Sequence, residues 1–257
     1  MRSMLGAMAL LAGANLAGAA PRHAAELVTA PATRVGLELI RTVCPQLPVP
    51  CDPASVTAWV RQGDTAGPLY LIDAERPMLV ALDAAEPARI DRARQWDFHA
   101  YVHSKPPVSD LGSPEPLRLQ PALYPVGAAG WAVALVSHSR EMYSGGWASF
   151  LVADFVPLDA PDRVLYAAVP FSCSKVVRAC FSKRDYRRSH HCQDESNGHL
   201  TIRVVQGDAG WTFMWHETDW PAHRSRTRQT TTHMPFRVAP GRTESSPDPA
   251  FCGGPAN

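Results

Sequence analysis

The chain has 257 residues, with 25 basic and 24 acidic side chains, 46% apolar residues, 24 prolines, 17 glycines and 6 cysteines. The ordinary apolar share excludes a disordered tail protein, and proline plus glycine stays well under the roughly 25–30% of low-complexity chains. A net charge of +1 lacks the overall basic excess on which nucleic-acid-binding proteins usually rely, so no nucleic-acid partner is expected.

The first 19 residues have the pattern of a signal peptide. Arg2 supplies the positive start, Met4 to Leu16 the apolar stretch, and Ala17-Gly18-Ala19 a small-residue cleavage site. Export follows as an expectation, to the periplasm or outside the cell. The apolar stretch falls short of the roughly 20 residues that span a bilayer, and no later stretch is longer, so no transmembrane segment is expected in the mature chain.

All six cysteines follow that leader, an even number in an oxidising compartment, and disulfides are the default expectation. Cys44 and Cys51 enclose a proline-stiffened loop and are expected to pair. If Cys173 to Cys180 were helical, those two would lie about 10.5 Å apart, beyond bridging range. That argument leaves Cys180 with Cys192 and Cys173 with Cys252. No CxxC string occurs, so a zinc site of that kind is not expected.

Along the chain, Ala32 to Thr42 is compatible with a short helix. Asp52 to Arg61 predicts a better one, with Asp52 as cap, Pro53 in the first turn and Val56, Trp59 and Val60 as an apolar stripe. From Leu69 the period changes to two. Leu69–Ile72 and Met78–Leu82 predict a hairpin, and Trp96 to His103 alternates as a half-buried strand. Ser104 to Pro125 holds six prolines, which cannot donate to a sheet ladder, and predicts an extended connecting segment. Beyond it, Trp131–His138, Trp147–Val156, Arg163–Val169, His199–Val205 and Trp211–Glu217 predict strands, the first two apolar on both faces. Cys173 to Arg188 predicts a helix capped by Ser172 or Ser174, and Thr230 to Val238 an edge strand because of Pro235.

The fold class is therefore mainly β: an antiparallel sandwich or barrel-like meander with short helices near the N-terminus and around residues 173–188. The expected organisation is a signal peptide (1–19), an N-terminal lobe (20–103), a proline-rich connection (104–125), a strand-rich core (126–238) and an irregular tail (239–257).

Three clusters carry candidate chemistry. His190, His191, Asp194 and His199 are metal-ligand types close in sequence, although the composition around them is equally that of a turn entering a strand. Glu217 and Asp219 would share a strand face with Trp211 and Trp215, a pair of carboxylates about 6.6 Å apart beside an aromatic platform. Two basic runs, Lys183, Arg184, Arg187 and Arg188, then Arg224, Arg226 and Arg228, sit in a C-terminal part with net charge +4 (residues 161–257), against −4 for residues 20–160. Ser172-Cys173-Ser174-Lys175 matches the SxxK string, without the partner motifs of serine acyl enzymes. No phosphate loop, dinucleotide fingerprint or GxSxG elbow is present and no cofactor is implied, yet a convergent triad shows only in geometry.

The sequence thus reads as an exported, disulfide-stabilised, non-enzymatic binding protein of an envelope or secreted kind. The expected partner is an anionic envelope polymer, a lipid surface or an acidic protein face. The alternative is a hydrolase of a cell-wall or other glycan, with Glu217 and Asp219 as acid and base.

Overall fold

The computed structural model describes residues 24–30, 35–64, 66–73, 75–104, 115–127, 130–189, 191–204, 210–238, 241 and 252. The expected signal peptide, His190 and most of the tail lie outside the described residues. Thirteen strands form one antiparallel sheet: β1 (Ala25–Thr29), β2 (Val56–Arg61), β3 (Leu69–Asp73), β4 (Met78–Leu82), β5 (Arg94–Asp97), β6 (Arg118–Leu119), β7 (Ala122–Val126), β8 (Gly130–Tyr143), β9 (Gly146–Pro157), β10 (Tyr166–Arg178), β11 (Gln193–Val204), β12 (Trp211–Trp220) and β13 (Thr230–Phe236). Among the described residues two short α-helices accompany them, α1 (Leu37–Val43) and α2 (Lys183–Arg188). The sheet runs β13-β12-β11-β10-β9-β8-β7-β1-β2-β3-β4-β5, with β6 paired to β8 off this path, and it does not close into a barrel. Mainly antiparallel β is the class expected from the alternating segments.

Two meanders, β2–β5 and β7–β13, are joined through β1, which pairs with β2 on one side and β7 on the other. No element was expected at β1, whose five residues AELVT are too few for a periodicity signal. The sheet folds over at this joint. Leu27, Tyr70, Ile72 and Leu79 pack in one cluster with Leu123, Val133, Leu135 and Val156. The opposite face of β7–β12 carries a second cluster around Tyr124, Phe155, Tyr166, Trp211 and Phe213. Ala132–His138 of β8 is consequently buried at every position, the physical reason for its continuous apolar run. A third cluster closes β2–β4 beneath α1 and the Cys44–Cys51 disulfide.

Three expected elements need correction. Asp52 to Arg61 is a turn followed by β2: Asp52 accepts the Ala54 N–H at 2.9 Å, and burial then alternates as Val56, Ala58 and Val60 point inward. The helix-start signals are satisfied by one turn, while Val56, Thr57 and Val60 are β-branched and favour the pleat. Cys173 to Arg188 is not one helix. Cys173–Arg178 continues β10, paired with β9 and β11, and only Lys183–Arg188 is helical. Its cap is Ser182, not Ser172 or Ser174; Ser182 and Asp185 form a reciprocal capping box. The strand expected at Trp96 to His103 stops at Asp97, where the Asp97 carboxylate accepts the His99 N–H and Phe98–Tyr101 turns.

The expected pairings, Cys44–Cys51, Cys173–Cys252 and Cys180–Cys192, are the disulfides of the structure. The helical spacing used against Cys173–Cys180 does not apply, since Cys173 lies in β10 and Cys180 in the loop beyond it. β13 is an edge strand, as Pro235 requires. Among the described residues no helix is long and apolar enough to cross a membrane.

Candidate functional site

The seven basic residues singled out in the sequence meet at one end of the second meander. β10 ends and β11 begins there, cross-linked by Cys180–Cys192, with α2 in the connection. The loop after β12 is fastened to the same place: the His223 N–H donates to the His191 carbonyl at 2.9 Å, the Ala222 N–H to Asp194 at 2.7 Å, and the Trp220 indole N–H to the Arg224 carbonyl at 3.1 Å. Lys183, Arg184, Arg187, Arg188, Arg224, Arg226 and Arg228 are all exposed.

None of these seven forms an ion pair with a described residue. The arginine ion pairs among the described residues lie elsewhere, in the acidic part of the chain, as in Arg41–Glu38, Arg61–Asp64, Arg76–Asp97 and Arg89 with Glu86 and Asp91. Internal neutralisation by the acidic half is thus absent among the described residues. The nearby carboxylates serve local structure. Asp185 completes the α2 cap, and the Ser182 hydroxyl and backbone hydrogen bonds hold its carboxyl below the usual range. Asp194 holds the Ala222 backbone.

Exposed aromatic and apolar side chains share this end. Phe181 is 71% exposed, Tyr186 53%, Met142 51% and Trp147 39%. Met142 and Trp147 are cross-strand partners at the β8–β9 turn, and that turn is tied to β10 by the Arg178 N–H donating to the Gly145 carbonyl at 2.6 Å. The Arg178 guanidinium lies 5.3 Å from the centre of the Phe181 ring. Large apolar groups are thus exposed beside cations that form no ion pair among the described residues.

The other sequence candidates are dispersed. His191 stacks on Trp220 with ring centres 3.5 Å apart. His199 faces away from Asp194 across β11 and stacks on His216, which in turn meets His233, Nδ1 to Nδ1, at 2.6 Å. Among the described residues no group of three His, Cys, Asp or Glu is placed to hold a metal ion. Glu217 is buried and accepts from the Trp215 indole N–H at 2.8 Å and the Cys252 N–H at 3.1 Å, so it fastens the Cys173–Cys252 crosslink. Asp219 accepts from the Ser196 hydroxyl at 2.5 Å. The aromatic platform of Trp211 and Trp215 lies in the core. Trp215 lies against Gly198, where any Cβ would overlap its indole. In the SxxK string, Ser172 and Lys175 lie on opposite faces of β10, not on one helical turn.

No family model matches the chain, and neither the curated proteins nor the solved structures contain a significant match. Its chemistry is accordingly read from geometry alone.

That geometry contains a cluster no sequence pattern indicated. His138 at the exposed end of the β8 core run places Nδ1 2.7 Å from Glu115 Oε2 and Nε2 2.7 Å from Ser149 Oγ on β9. A carboxylate can only accept, so Nδ1 carries the proton and donates to Glu115, and Nε2 accepts from the Ser149 hydroxyl at 2.7 Å, with the Arg140 Nε–H a longer second donor at 3.5 Å. The hydrogen bond from His138 holds the Glu115 carboxyl below its usual value; partial burial opposes this, and the charges of His138, Arg140 and Arg118 reinforce it. Arg140 lies opposite Ser149 in the β8–β9 ladder and pairs with Glu115 at 3.2 Å.

A second polar network is buried. Asp154 on β9 is fully buried and accepts from the Tyr101 hydroxyl at 2.9 Å, the Ser104 N–H at 2.7 Å and the Ala168 N–H at 2.7 Å. His103 stands beside it, Nε2 3.1 Å from the Leu135 carbonyl oxygen. Burial, then the Asp154 charge, raises the Tyr101 hydroxyl pKa. The network ties the segment after β5 to β8 and β9. Between the two meanders lies a cleft of about 780 Å³, lined in part by Trp96, Trp131, Arg61 and Arg94.

Proposed function

We propose that this is an exported protein that docks on an anionic lipid surface through the end of the sheet formed by α2, the loop 221–228 and the β8–β9 turn. The three disulfides fit an oxidising compartment. The observation that carries the reading is the union of seven exposed basic side chains, unpaired among the described residues, with Phe181, Tyr186, Met142 and Trp147. Cations alone would suit any polyanion. Exposed aromatics between them favour a bilayer interface, where aromatic rings settle at headgroup depth and basic side chains meet anionic headgroups.

Each Lys or Arg held near an anionic membrane contributes about 1 kcal/mol. Replacing Arg184, Arg187 and Arg188 with Ala therefore lowers partition onto vesicles containing phosphatidylglycerol by about a hundredfold. Co-sedimentation at low and high salt measures this. Binding to phosphatidylcholine vesicles alone should be negligible. Retention that is salt-insensitive and unchanged in the triple variant overturns the reading, and preferential binding to a soluble acidic polysaccharide redirects it to that polymer.

A further inference from the structure

We propose that Ser149, His138 and Glu115 form a serine acyl-transfer site that hydrolyses carboxylic esters, with Ser149 as nucleophile, His138 as general base and Glu115 as its positioning carboxylate. The inference does not rest on the lipid-docking reading: Ser149, His138 and Glu115 take no part in that surface and need no anionic partner, although Trp147 borders both.

The geometry meets the requirements of an activated hydroxyl in order. The nucleophile lies within hydrogen-bond reach of the base, at 2.7 Å. The base is oriented by a carboxylate on its other nitrogen, also at 2.7 Å. Ser149 is partly exposed whereas the His138 side chain is only 8% exposed, so the imidazole is fixed and the hydroxyl is reachable. Arg140, directly across the ladder from Ser149, turns its Nε toward Glu115 Oε1 at 3.2 Å and His138 Nε2 at 3.5 Å, so a fixed positive charge stands beside the base and its carboxylate. Trp147, two residues before Ser149 on the same face of β9 and exposed, offers an apolar surface for an acyl chain. The other nearby hydroxyl, Ser174 on β10, is occupied by a 2.8 Å hydrogen bond to Asn197.

The chemistry balances with water as the only co-reactant. Ser149 Oγ bonds to the carbonyl carbon as its proton passes to His138 Nε2. The ester C–O bond then breaks, and the same proton goes to the departing alkoxide, releasing an alcohol and leaving an acyl group on Ser149. Water repeats the sequence: its oxygen bonds to the acyl carbon, His138 takes one proton and returns it to Ser149 Oγ, and a carboxylic acid leaves. Glu115 remains ionised throughout and holds the Nδ1–H of His138.

The test uses the full-length protein with intact disulfides, p-nitrophenyl butyrate as substrate and a fluorophosphonate as the active-serine probe. The expected result is hydrolysis above the buffer rate and a single adduct, mapped by mass spectrometry to Ser149. Ser149→Ala and His138→Gln should lose both, Glu115→Gln should lower kcat by about 10³–10⁴-fold with KM little changed, and Glu115→Asp should recover part of that loss. Ser55→Ala, in the turn before β2, should leave both readouts unchanged. Thermal unfolding of each variant separates loss of chemistry from loss of fold. Adduct mapping on the unmodified protein needs no variant: no adduct, an adduct on another serine, or hydrolysis unchanged in Ser149→Ala overturns the proposal.

Discussion

Asp154 offers the sharpest test of what holds the sheet together. Its carboxylate is fully buried and accepts from three donors, the Tyr101 hydroxyl and the Ser104 and Ala168 N–H groups. Replacing it with Ala strands all three in a site water reaches poorly. Each buried group left without a partner costs about 1–3 kcal/mol, so Asp154→Ala should lose about 3–6 kcal/mol, after allowing some relaxation. Ala168 has φ of +50°, a left-handed conformation unfavourable for alanine; the Asp154 bond to its N–H helps hold it, which adds to the loss. Tyr101→Phe removes only one donor and leaves the carboxylate two partners, so about 1–2 kcal/mol is expected. Urea unfolding with disulfides intact gives both values from the shift in midpoint at constant slope. A loss under about 1 kcal/mol for Asp154→Ala would show that water replaces the carboxylate and refute the network's role.

Loop-closure entropy orders the disulfides. The crosslink Cys173–Cys252 spans 79 residues and Cys44–Cys51 only 7, so double Ser replacement should cost about 4.5 kcal/mol for the first and about 2.5 kcal/mol for the second, read by the same titration; the reverse order would contradict the prediction. His216 makes stability depend on pH. Burial first, then neighbouring His199, His233 and Arg203, lowers the His216 pKa. The unfolded chain therefore binds the proton more readily, so stability is lost as pH falls through the ordinary histidine value toward the folded one. Melting temperatures between pH 7.5 and 5.5 should decline, and His216→Thr should flatten the decline; an unaltered slope in that variant would assign it to other groups.

The strands β8 and β9 are legible as long apolar runs because they are buried between two cores. The cysteine pairs and the edge role of β13 were legible from spacing and from Pro235. Segment 52–61 reads as helix because Asp52 and Pro53 form a helix-like start that a single turn satisfies, and 173–178 because Ser172 and Ser174, possible caps, lie within β10; the β-branched Val56, Val60, Val176 and Val177 are the signal that favours the strand. The basic runs were visible as composition, but their union depends on the backbone hydrogen bonds that bring residues 221–228 beside α2. The cluster of Glu115, His138 and Ser149 was not legible at all. Its members come from three separate segments, and only the β8–β9 register sets Ser149 beside the histidine. The nearest hint was that a polar His138 ends an apolar strand, a position that asks for partners.

The docking claim is tested most directly by hydrogen exchange with and without vesicles rich in phosphatidylglycerol. The expected result is vesicle-dependent protection confined to residues 140–147, 181–188 and 221–229, reversed by salt, with the strands β2–β5 unchanged. Protection of β2–β5 instead, or no protection at the basic end under conditions where the protein co-sediments, would contradict the account.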